Sequence, residues 1–143
     1  MKAERARLAR LQRLERIRAI ARRTALAEAG RAEGTLAQLQ ALVERTERLA
    51  LSYAARTDAS HGADLLQLDR FLRGLDRITT GTAAEIDRAR AIADAKAEQA
   101  ATAERRRAAV EERADAQKQR IARKLADSAT PPGTAPRRTW HGS

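Results

Sequence analysis

The chain has 143 residues; 34% are charged, only 2% are aromatic, and 34 of the apolar residues are alanine. That excludes a large globular core, because burial stabilises in proportion to apolar area, and the Ala, Arg, Glu, Leu and Gln that dominate make up long helices. A net charge of +10, from 29 basic residues against 19 acidic, points to acidic partners or nucleic acid, while the lack of Cys excludes disulfides, thiolate metal sites and Cys nucleophiles.

The first 29 residues are Arg-rich and helical in character, as in a mitochondrial presequence, but Glu4, Glu15 and Glu28 interrupt them and Ser is absent. No apolar stretch approaches the roughly 20 residues that cross a bilayer, so a soluble chain is expected. A first helix is predicted over 2–56. Its heptad places Leu36, Val43 and Ala50 at a, and Ala32, Leu39, Thr46 and Tyr53 at d. Leu14, Ile17, Ala21 and Thr24 form a second seam one residue out of frame, which predicts a local shift between about Arg22 and Ala29. Gly30 and Gly34 read as a soft spot inside one helix, since no Pro or capping cluster accompanies them.

Thr57, Asp58, Ser60, His61 and Gly62 are turn formers, so a turn is expected over 57–62. A second helix follows over 63–127, about 100 Å long if straight. Its seam alternates spacings of three and four through Leu65, Leu68, Leu72, Leu75, Thr79 and Thr82, then Ile86, Ala89 and Ala93. The frame continues through Ala100, Ala103, Val110, Ala114 and Ile121, with polar intrusions at Lys96, Arg107, Gln117 and Lys124. Pro131, Pro132 and Pro136 stop any helix, so 128–143 is expected to be a disordered tail. The predicted fold is all-α: residues 1–127 form a long antiparallel two-helix coiled-coil hairpin. A fold-back near Ala59 would set Leu65 opposite Tyr53, Leu68 opposite Ala50, Leu72 opposite Thr46 and Leu75 opposite Val43. Thr79 would then meet Leu39, Thr82 Leu36, Ile86 Ala32 and Ala89 Ala29. The same register opposes Lys96 to Arg22, an unfavourable pair.

Little here suggests catalysis. His61 and His141 lie too far apart on an extended hairpin to share a metal, and Glu111 and Glu112 sit beside Arg113 on an exposed helix face rather than in the desolvated setting that a general acid or base needs. Phosphate loops, a nucleophile elbow and zinc spacings are absent. No catalytic residue, cofactor or metal is expected, and the chain reads as a non-enzyme. The basic runs converge where the hairpin brings both termini together, and Arg10, Arg13, Arg16, Arg120 and Arg123 are the candidate partner-binding residues. Such an end suits an acidic protein groove, or forms a merely solvated face; nucleic acid is less favoured, because without aromatic residues for stacking it would be held by its backbone alone. Leu26, Leu42, Leu49 and Leu66 widen the apolar stripe, as a broader core contact or for a third helix or a partner protein.

The Arg-rich start from Leu8 to Ile17, the helix through Leu36, Leu39 and Leu42 to Tyr53, the polar turn, the run Leu65 to Leu75 with Phe71-Leu72, and the charged closing stretch Arg105 to Lys118 together resemble the FliJ family of flagellar type III export proteins. The likeness covers roughly 5–127; an unusual wealth of Ala and Arg departs from it. The resemblance implies a cytoplasmic accessory stalk protein, peripheral at the inner face of the bacterial cytoplasmic membrane. Its implied partners are the export ATPase ring, the export gate membrane protein and substrate chaperones, with the end bearing both termini entering the ring and no catalytic residue. A basic coiled-coil scaffold, or a protein that binds nucleic-acid backbone, is the alternative.

Overall fold

A computed structural model describes residues 1–56 and 62–129. It holds two helices, α1 (Lys2–Ala54) and α2 (Gly62–Ala129), packed antiparallel against each other as the heptads predict. The expected tail over 130–143, with Trp140 and His141, and the turn residues 57–61 with His61 lie outside the described residues.

Local chemistry accounts for the helix ends. Glu4 and Asp64 place a carboxylate in the first turn of each helix, where it opposes the positive end of the dipole. Past Ala54 the backbone closes one more turn, with Ala55 N–H donating to Leu51 O (3.0 Å) and Arg56 N–H to Tyr53 O (3.2 Å). The Arg56 guanidinium then lies 4.4 Å over the Tyr53 ring. At the far end, Ser128 and Ala129, assigned to the tail from sequence, complete α2; Ser128 Oγ donates to Leu125 O at 3.0 Å. Gly30 and Gly34 stay within α1, with open space where a Cβ would stand.

The chain divides into two compact units, Arg22–Ala103 and the pair Met1–Ala21 with Glu104–Ser143. In Arg22–Ala103 the core is a narrow seam. Leu36, Ala89 and Ala93 are buried together, with Ala32, Leu39 and Ile86 packed on them. Further along, Ala50, Leu72 and Leu75 share a groove, and Tyr53 meets Phe71 with ring centroids 4.7 Å apart. Val43, Leu68 and Leu72 are half-buried, and Leu75, Thr46 and Thr82 are buried. Two seam threonines are satisfied inside their own helix: Thr46 Oγ1 donates to Leu42 O (2.8 Å) and Thr79 Oγ1 to Leu75 O (3.1 Å).

These contacts correct the register by one heptad. Leu36 faces Ala89 and Ala93 rather than Thr82, and Tyr53 meets Phe71 rather than Leu65, which is 56% exposed and is no seam residue. A shift of one full heptad still leaves every a residue opposite a d residue, so hydrophobic pattern alone cannot choose between the two pairings. Charge and size do choose. The expected register opposed Lys96 to Arg22; the observed one lets Lys96 Nζ donate to Glu28 Oε2 at 3.1 Å, and sets the bulky Leu36 against small alanines.

The predicted break in α1 disappears for the same reason. Buried and half-buried residues recur without interruption at Glu4, Leu8, Leu11, Glu15, Arg18, Arg22, Ala25 and Ala29, in frame with Ala32 and Leu36. Leu14 is half-buried beside this line, whereas Ile17, Ala21 and Thr24 are exposed. The out-of-frame seam read from sequence is therefore an outward face.

Candidate interaction surface

In the unit formed by Met1–Ala21 and Glu104–Ser143, polar groups occupy seam positions that leucines hold elsewhere. Gln117 is 3% exposed; its Nε2 donates to both Glu4 O (3.1 Å) and Glu4 Oε2 (2.6 Å). Lys124 Nζ donates to the other carboxylate oxygen of Glu4 at 2.8 Å. The Lys124 bond first, then that of Gln117, with the fields of Lys124 and Arg120 added, lowers the Glu4 pKa to about 2. Arg107 is likewise consumed internally. Its Nη1 donates to Glu111 Oε2 at 2.6 Å, and its Nε and Nη2 donate to Glu104 at 2.9 and 2.8 Å. Glu104 first, then Glu111, raises the guanidinium pKa above its already high ordinary value.

The inward acids leave the outer face of α1 with a single sign. Between Met1 and Ala21 the only acidic residues are Glu4 and Glu15, and both are half-buried on the seam line. Lys2, Arg5, Arg7, Arg10, Arg13 and Arg16 are all exposed, joined by Ile17 at 58% and Ile20 at 61% exposure. On α2, Arg120 and Arg123 are exposed as well. Arg10, Arg13, Arg16 and Arg123 make no ion pair among the described residues, and Arg120 acts on Glu4 only through its field.

The charge divides along the same boundary. The segment Arg22–Ala103 holds 12 basic and 12 acidic residues, whereas the other unit holds 17 basic and seven acidic, and so the entire +10. Sequence reading located the basic clusters but missed two features. Glu4 bonds to Lys124 and Gln117 where it had read only as an interruption, and Ile17 and Ile20 face outward between arginines. Extending the Leu36 heptad backwards in steps of three and four, without allowing a break, would have found both.

No group of three or more His, Asp or Glu side chains among the described residues could hold a metal ion. Among the described residues, one open groove is lined by Ala50, Leu51, Ala54, Leu72 and Leu75 and another by Ala32, Leu39, Glu85, Arg88 and Ile92. No helix of the described residues is long and apolar enough to cross a membrane. No protein-family model, curated protein or solved structure matches this chain.

Proposed function

We propose that this chain is a non-enzymatic accessory stalk protein of a flagellar type III export apparatus, whose basic unit docks against acidic surfaces of the export ATPase ring. One observation carries the reading: all of the net charge belongs to the unit of Met1–Ala21 and Glu104–Ser143, where one helix face offers only basic and apolar side chains. A field of one sign steers an oppositely charged partner and speeds its capture, and the exposed Ile17 and Ile20 supply apolar contact once the surfaces meet. The resemblance to the FliJ family supplies the identity of the partner and extends the proposal. The chain would also contact the export gate and escort substrate chaperones, working in the cytoplasm at the inner face of the membrane.

The test is stimulation of the purified export ATPase. The full chain raises the hydrolysis rate, and the combined reversal Arg10→Glu, Arg13→Glu, Arg120→Glu and Arg123→Glu abolishes the rise while helicity is retained. No stimulation by the unmodified chain, or full stimulation by the reversed one, refutes the stalk reading. The same basic face also suits a nucleic-acid backbone. That reading predicts duplex retardation that collapses between about 50 and 200 mM salt, with no effect on the ATPase.

A further inference from the structure

The neutral unit carries a surface that the proposed docking does not use. In an antiparallel pair, the residues immediately before each a position lie along one side, and those immediately after each d position along the other. The two open grooves confirm this for Arg22–Ala103. Thr35, Glu85 and Ile92 line one groove together, whereas Glu47, Ala54 and Asp76 line the other. The sides differ sharply. On the first, Leu42, Leu49, Phe71, Ile78 and Ile92 are between 39% and 55% exposed, with Glu85 and Arg88, of opposite sign, lining the groove between Ile78 and Ile92. On the second, Glu33, Gln40, Glu47, Asp69, Asp76 and Arg90 are exposed, and the exposed large apolar residues are Leu26 and, at the edge of the groove, Leu51.

We infer that this apolar side is a self-association surface, on which a second copy of the chain lays the same side to form a four-helix pairing. Size is the first argument. From Phe71 to Ile92 the stripe runs about 30 Å at 1.5 Å per residue, and it spans two helices of about 10 Å each. Pairing two copies would therefore cover roughly 600 Å² on each, near the lower bound for a specific, stable interface. Charge is the second argument. Arg22–Ala103 is neutral, so two copies meet there without mutual repulsion. An acidic or a basic partner would find no complementary field on the stripe, whereas a copy offers the same leucines and isoleucines in return. A twofold contact needs a patch that complements itself, which an apolar stripe does.

Sedimentation velocity of the full chain from about 1 to 200 µM decides it. The unmodified chain shifts from monomer to dimer over this range, and Ile78→Arg stays monomeric with its helicity retained. A chain that remains monomeric throughout overturns the inference, as does a dimer that Ile78→Arg leaves intact. Should Ile78→Arg fail to fold, oxidative cross-linking takes its place, since the chain has no native Cys. Ile78→Cys yields a covalent dimer and Arg90→Cys, on the polar side, does not; equal yields overturn the inference. Each readout is independent of the ATPase, so it stands or falls apart from the stalk reading.

Discussion

The two units solve the same packing problem with opposite materials. Arg22–Ala103 is neutral, and Leu36, Leu39 and Ile86 seal it against Ala32, Ala89 and Ala93. The unit of Met1–Ala21 and Glu104–Ser143 carries +10 and still pairs its helices, through Gln117 and Lys124 gripping Glu4 beside buried Val110 and Ala114. Repeating heptads therefore hold a pair of helices whatever fills them, and the filling decides what each unit responds to. The apolar seam should be less sensitive to salt and acid than the ionic one.

The largest effect expected is at the apolar seam. Leu36→Asp puts an unpaired charge among Ala32, Ala89 and Ala93 and should cost about 3 kcal/mol or more, read as a steep fall in the thermal midpoint of helicity. Acid should separate the units next. Because the folded state depresses the Glu4 pKa to about 2, its contribution is fully present above the ordinary carboxylate value of 4.5 and drains away as pH falls from there toward 2. Amide exchange near Glu4 and Gln117 should quicken over that window before exchange around Leu36 does; Glu4→Gln should remove the difference.

The Lys96 to Glu28 bridge tests the register itself. Lys96→Glu should destabilise, and adding Glu28→Lys should recover about 0.5 kcal/mol in a double-mutant cycle; under the register that opposes Lys96 to Arg22, the second change recovers nothing. The opposite sign is expected from Gly30→Ala and Gly34→Ala, each stabilising by about 1 kcal/mol, since both glycines are helical with open space around the missing Cβ.

Fold class, helix extents and most of the seam were legible because heptad spacing and turn chemistry are local properties. Leu36, Leu75, Thr82, Ala89 and Ala93 occupy the buried line that their spacing assigns. Pairing register is not local, and one heptad of slip preserves every apolar layer. Only the side chains that break the pattern distinguish the alternatives, and the opposition of Lys96 to Arg22 disappears when the whole pair slides by one heptad. The out-of-frame spacing of Leu14, Ile17, Ala21 and Thr24 points Ile17 inward in sequence, whereas the fold places it on the outer face of α1. The basic clusters were legible as composition; their confinement to one unit, with Glu4 and Glu15 turned toward the seam, required the fold.

Most direct is a binding titration of the purified export ATPase ring against two charge reversals of equal size. One converts Arg10, Arg13 and Arg16 to Glu in the basic unit; the other converts the equally exposed Arg70, Arg73 and Arg77 in the neutral one. The proposed division of labour predicts that the first weakens binding at least tenfold and that the second leaves it within twofold of the unmodified chain. Equal losses, or no loss from the first, would contradict it.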